Sequence, residues 1–207
     1  VTPLAALDYA SVFVFALTGA LVASRAQLDL IGFIFIATLT AVGGGTLRDV
    51  ILNRDMVFWV ANPAFVGTAA VAAIIVFFTA HLLESRYRGI VWLDALALAV
   101  AVPSGVGVAL ELGMPWSVVL IMGIATGCFG GLMRDVVCNE VPLVLKQGEL
   151  YVTCALCGGA VAMIALHFGA PTSLALVACA TATLALRAGS LLFGWRLPVY
   201  RSFPPRQ

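Results

Sequence analysis

Two stretches of the chain put charge where the neighbouring residues are apolar. Gly43-Gly44-Gly45 is followed by Arg48-Asp49, and Phe129-Gly130-Gly131 is followed by Arg134-Asp135. A guanidinium is a permanent cation with donors but no acceptor, and a carboxylate beside it can neutralise it or attract another cation. Glycine in a helix costs about 1 kcal/mol relative to alanine, but it allows a bend or a close approach of backbones. This combination fits the handling of charge inside a membrane better than bond-breaking. No His/Cys/Glu metal set, nucleophile elbow or phosphate-binding glycine loop accompanies it, so neither an enzyme nor a bound cofactor or metal is expected.

The elements that must hold these residues are membrane spans. Of 207 residues, 62% are hydrophobic and only 10% charged, against roughly a quarter charged in soluble domains. Eleven basic residues against ten acidic ones give no reason to expect a nucleic-acid partner. Runs long enough to span a bilayer fall at about 4–24, 30–52, 61–83, 91–110, 115–139, 149–169 and 171–193. The expected fold is thus an all-α membrane protein, one transmembrane domain over residues 1–207, with a basic tail at 194–207 expected to be disordered. No basic leader precedes the first span, which is expected to be retained. An outside N-terminus puts Arg25, Arg86, Arg88, Lys146, Arg196, Arg201 and Arg206 on the cytoplasmic side and only Arg54 in an outer loop. The positive-inside rule therefore places the N-terminus outside and the C-terminus in the cytoplasm.

The chain also repeats itself. At an offset of 86 residues Arg48-Asp49 falls on Arg134-Asp135, Gly44-Gly45 on Gly130-Gly131, and Thr40 on Thr126. Asp8 falls on Asp94 and Thr18-Gly19 on Ser104-Gly105 at the same offset. Each unit (4–83 and 90–169) contains three spans. An odd number makes the second unit enter the membrane from the opposite side, leaving helix 171–193 as a seventh. Inverted repeats of this kind are associated with transport sites near the bilayer midplane.

Helical spacing puts Thr40, Gly44 and Arg48 on one face of the second span, and Thr126, Gly130 and Arg134 on one face of the fifth. Asp8 with Thr18, and Asp94 with Ser104, form polar stripes on the first and fourth spans. Two readings of the glycines stand side by side. They bend the spans and expose carbonyls to ions, or they only let helices pack closely. The charges likewise either form two Asp/Arg clusters flanking a narrow centre or are arginines snorkelling at helix ends. Arg187 stands alone in the seventh span, either pairing with an acid from another span or snorkelling, and is counted with the candidate pore or gating charges. His81 and His167 read as interfacial, and the five cysteines, Cys154-x-x-Cys157 included, as small packing residues.

On these paired Gly–Arg–Asp motifs, "GGGTLRDVIL" and "GGLMRDVVCNEVPLVL", and on the three-plus-three-plus-one layout, the chain resembles the trimeric intracellular cation channels of the bacterial branch. Members of that branch have also been labelled glycine transporters. The resemblance implies a homotrimer in the inner membrane, surrounded by lipid, with a potassium path in each protomer that also passes sodium. It implies kinks at Gly43–Gly45 and Gly130–Gly131 in second and fifth spans that line the path with the first and fourth. It sets Arg48, Asp49, Arg134 and Asp135 beside them as pore charges. Phe129, standing where the first motif has Gly43, either stiffens the fifth span or plugs the path. Asp8, Asp94, Thr18 and Ser104 would help to replace ion hydration. A secondary transporter for a small zwitterion such as glycine is the alternative, and a non-conducting scaffold is the third reading.

Overall fold

The structure is a computed structural model that describes residues 3–82, 85–146 and 150–198. Among the described residues seven principal helices are present: α1 (Pro3–Arg25), α2 (Leu30–Ile51), α4 (Ala64–Thr79), α5 (Arg86–Glu111), α6 (Trp116–Val137), α7 (Tyr151–His167) and α8 (Thr172–Phe193). A one-turn helix, α3 (Phe58–Ala61), and a 3-10 turn at Leu143–Leu145 occupy the loops after α2 and α6. Among the described residues the regular structure is all helical apart from an isolated bridge at Arg196. Six of the helices, counting α4 with the turn that follows it, are long and apolar enough to cross a bilayer. At 17 residues, α7 is about 25 Å long, somewhat less than the hydrocarbon core. The protein is an all-α membrane protein.

The ends of α2 and α6 show how the repeat is written into local structure. Each helix closes on an asparagine with positive φ, Asn53 at 50° and Asn139 at 54°. Asparagine tolerates this left-handed conformation, which lets the backbone N–H groups of the next residues bond back into the last turn. Arg54 N–H donates to the Asp49 carbonyl and Glu140 N–H to the Asp135 carbonyl.

The side chains joining α1 to α5 fix their relative direction. Asp8, early in α1, accepts from Ser104, late in α5. Thr18, late in α1, and Asp94, early in α5, share Arg134. The two equivalent helices therefore run antiparallel. The same holds for α2 and α6: a Cβ at Gly44 would run into the Thr126 carbonyl oxygen, and one at Gly130 into that of Thr40. The repeat is inverted, with α1, α2, α5 and α6 forming the centre. α4 packs on α1 and α2, α7 on α6, and α8 on α5 and α7.

Some details depart from expectation. The third span is narrower, since residues 61–63 belong to the preceding loop segment and Ala80–Leu82 form a 3-10 turn. The start of the tail is not free: the Trp195 ring packs against Gly189, and Ser190 Oγ donates to the Trp195 carbonyl at 3.1 Å. The rest of the tail, from residue 199, lies outside the described residues.

Candidate functional site: two inverted charge clusters

Arg48 is fully buried, so the snorkelling alternative fails for it. Its Nε donates to Asp49 Oδ1 at 2.7 Å. Its Nη1 donates to Asp8 Oδ1 at 3.0 Å and to Ser104 Oγ at 2.9 Å. The Ser104 hydroxyl in turn donates to Asp8. Asp49 Oδ2 accepts from the Phe58 backbone N–H at 2.8 Å, and Oδ1 takes a longer bond from Arg54 at 3.3 Å. Asp49 thus holds Arg48 with one oxygen while capping α3 with the other.

The second cluster repeats these bonds around Arg134, which is also fully buried. Nε donates to Asp135 Oδ1 at 2.7 Å, and Nη1 to Asp94 Oδ1 at 3.1 Å and Thr18 Oγ1 at 2.9 Å. Asp135 Oδ2 accepts from the Leu143 N–H at 2.9 Å. Each arginine thus takes its aspartates from its own repeat and its hydroxyl from the other. The stripes on α1 and α5 each divide between the two clusters: Asp8 serves the first and Thr18 the second, Asp94 the second and Ser104 the first. Helical spacing identifies a face, but it does not say which neighbour each turn of that face will meet.

Both helices carrying the glycines are unbroken α-helices. Gly44 and Gly130 let α2 and α6 cross in backbone contact, each against the other's threonine carbonyl. A Cβ at Gly43 would lie 3.0 Å from Met133 Sδ, and one at Gly45 would meet the Phe58 ring at 2.5 Å. Gly131 instead faces the second cluster, where a Cβ would lie 3.4 Å from Asp94 Oδ1 and 3.6 Å from Arg134 Nη2. Phe129 is 38% exposed on the surface of α6. Arg187 is fully buried, with its guanidinium carbon 5.0 Å from the centre of the Tyr151 ring. This excludes snorkelling for Arg187 as well.

Tyr151 escaped the sequence reading. Its hydroxyl donates to Asp94 Oδ2 inside the second cluster. The signal was available at the 86-residue offset, where this position falls on Phe65; a hydroxyl gained in one copy of an apolar position needs a partner. The cysteines are free thiols, His81 and His167 are exposed at helix ends, and among the described residues no group of three His, Cys, Asp or Glu could hold a metal.

Comparisons with known proteins bear on this arrangement. A family model described as "Glycine transporter" matches the chain twice, over residues 5–81 and 91–167. A UPF0126 membrane protein of Vibrio cholerae is 35% identical, covering 94% of this chain and 81% of its own length. The UPF0126 inner membrane protein YadS of Escherichia coli is 34% identical over 94% of each chain. Among solved structures, the TRIC trimeric intracellular cation channel orthologue from Rhodobacter sphaeroides superposes with a TM-score of 0.90 at 42% identity. That match covers 94% of this chain and all of the other. A structure addressing conductance through TRIC cation channels matches with a TM-score of 0.86 at 28% identity, over 98% of this chain and all of the other. The chain therefore belongs to the trimeric intracellular cation channel family, in the bacterial branch whose family model is described as Glycine transporter.

Proposed function

We propose that this protein is a homotrimeric channel for monovalent cations, chiefly potassium with sodium also passing. The path runs within each protomer between α1, α2, α5 and α6, and bending of α2 and α6 at their glycines widens it. The observation that carries this reading is the ratio of charges in the two clusters. Arg48 meets Asp8 and Asp49, and Arg134 meets Asp94 and Asp135. Around Arg134 two carboxylates to one guanidinium leave the core net negative, and around Arg48, where Arg54 also reaches Asp49, the acids balance the arginines, so neither end of the path repels a cation despite its arginine. The likeness to the Rhodobacter orthologue supports both the channel activity and the trimer. The inner-membrane relative and the basic loops support a cytoplasmic-membrane location with the N-terminus outside.

The test is purified protein in a planar bilayer under a KCl gradient. Discrete openings that reverse near the potassium potential are expected; a silent bilayer with folded protein overturns the reading. Arg134→Gln is expected to alter unitary conductance or open probability, and a variant matching wild type in both counts against a gating role for Arg134.

A second reading has its own support. Arg48 Nη2 and Arg134 Nη2 are buried, and neither has a hydrogen-bond partner among the described residues. A spare donor on a buried guanidinium suits a carboxylate, as a zwitterion such as glycine would supply, with its amine on Asp8 or Asp94. Saturable uptake of labelled glycine, at rates well below channel flux, would favour this transporter over the channel.

A further inference from the structure

The α2–α6 crossing has a second face, turned away from the charge clusters: by helical spacing Leu39 and Val50 lie on the opposite side of α2 from Arg48. On this face α2 exposes Phe35 and Val50, and α6 exposes their repeat equivalents, Ile121 and Val136. The two halves are alike in being apolar but not in shape, and the difference centres on one pair of positions. Residue 43 is glycine, and its equivalent, residue 129, is phenylalanine. At Gly43 the surface is hollow, with an apolar groove of about 390 Å³ walled by Leu39, Val50 and Met133. The indole and the hydroxyl that border it are already bonded: Trp59 Nε1 donates to Thr46 Oγ1 at 2.9 Å, and Thr46 to the Val42 carbonyl at 2.7 Å. At the equivalent place Phe129 stands out from the surface of α6, 38% exposed. The twofold of the inverted repeat passes through the crossing, so hollow and ring lie on opposite flanks of the same face. They also lie at nearly one level, since a Cβ at Gly43 would be 3.7 Å from the Cα of Gly130, the residue next to Phe129.

We propose that Phe129 of one protomer enters the groove over Gly43 of the next, and that this contact, made three times, closes the trimer. The inference rests on the homotrimer of the proposed function. A cyclic trimer is joined by heterologous contacts, in which one flank of each protomer meets the opposite flank of its neighbour at the same height in the membrane. The groove and the ring meet both conditions. In a bilayer, apolar contact alone gains nothing over lipid tails, so association depends on close, shaped packing. An aromatic side chain with two rotatable bonds, carried on an unbroken helix, loses little freedom on entering a hollow that is already formed. The repeat diverges at this pair because the two flanks of the face meet each other rather than themselves, and one must be the negative of the other.

The test is the mass of the detergent-solubilised full chain, measured by multi-angle light scattering over a range of protein-to-detergent ratios. Phe129→Ala is expected to raise the ratio at which half the protein is trimeric by at least about tenfold, the scale of losing one buried aromatic anchor. Gly43→Val fills the groove from its floor and should act in the same direction. Val50→Trp, which fills it from the exposed wall, takes its place if Gly43→Val does not fold. Combining Phe129→Ala with the filled groove should weaken the trimer no further than the stronger single change, because both remove one contact. Circular dichroism melts establish that each variant protomer is folded. A Phe129→Ala trimer as stable as wild type overturns the proposal. So do losses that add in the double variant, which would give the groove a different occupant, such as a lipid chain. A wild-type chain that is monomeric at every ratio instead overturns the trimer reading, so the wild-type record tells the two failures apart.

Discussion

Around Arg48, one carboxylate touches water, a surface arginine reaches in to Asp49, and the aromatic rings of Phe58 and Phe65 pack edge to face behind the site. Around Arg134, the same guanidinium bonds are made, but Tyr151 and Arg187 stand where the first repeat has only aromatic packing. Inverted duplication supplied one set of ligands twice. The surroundings of each set were then free to diverge, because they lie on the loop after α2, α3 and α4 in one case and on α7 and α8 in the other. Identical bonds in unequal surroundings should differ in how much they stabilise the protein, and this can be measured.

The largest difference is expected at the aspartates. Asp94→Ala leaves Arg134 buried without its partner from α5, which should cost about 3–5 kcal/mol. Asp8→Ala removes the equivalent partner from Arg48, but water already reaches that site, so a smaller loss of roughly 1–3 kcal/mol is expected. Thermal melts of both variants in the same detergent give the comparison, and equal losses would show that the second cluster is no drier than the first. Exchanging the charges, Asp94→Arg with Arg134→Asp, should restore part of what either single change loses if the pair is a true pair.

At the helix crossing the two repeats should behave alike. Gly44→Ala and Gly130→Ala each push a methyl against a backbone carbonyl, which cannot move without parting α2 from α6. Each should cost about 1–3 kcal/mol. Gly67, on the open face of α4 with no atom within 4 Å of its would-be Cβ, is the control; alanine there should be neutral or stabilising by up to about 1 kcal/mol. A clear difference between Gly44→Ala and Gly130→Ala in the melting temperature would break the symmetry argued for the crossing.

These contrasts mark where sequence reading succeeds. Spans, repeat and the pairing of Asp8 with Arg48 follow from apolar runs and from charges near matching helix ends, which are local properties. The exchange of hydroxyls is not local: Thr18 lies on the same face of α1 as Asp8, and only the antiparallel crossing with α5 sends it to Arg134. The glycines left bending and packing open because both need the same missing Cβ, and the close contacts made at Gly44 and Gly130, with Thr126 and Thr40, lie on another helix. Four-residue α3 has no periodicity to read; its cap by Asp49 is visible only in the fold.

That cap gives the next comparison. Asp49 and Asp135 each fasten the loop after their helix through one backbone N–H, of Phe58 and Leu143. Replacing either with alanine loses that cap, worth about 1–2 kcal/mol, in addition to the carboxylate on the buried arginine's Nε, and the cap's share should be concentrated in the loop. Faster hydrogen exchange of the Phe58 amide in Asp49→Ala, and of the Leu143 amide in Asp135→Ala, checks this. If each change instead loosened both loops, the clusters would be coupled through the crossing and could not be treated as separate sites.

The smallest effect concerns a charge pair that the repeat carries with its signs exchanged. Arg25 and Glu140 bridge at 3.2 Å, both partly exposed. At the 86-residue offset their counterparts are Glu111 and Arg54, but Arg54 is drawn to Asp49 instead. One end of the bundle therefore holds a bridge between α1 and the segment after α6, while at the other end the equivalent arginine serves the charge cluster. A bridge between exposed groups contributes about 0–1 kcal/mol and is screened by salt. Glu140→Gln should accordingly lower the melting temperature slightly at low ionic strength and not at all near 1 M KCl, a condition whose Debye length is about 3 Å. Arg54→Gln should keep its effect in high salt, because the Asp49 it serves is buried. Equal salt sensitivity in the two variants would mean that Arg54 acts as a surface charge only, and the first cluster would then owe its stability to Asp8, Asp49 and Ser104 alone.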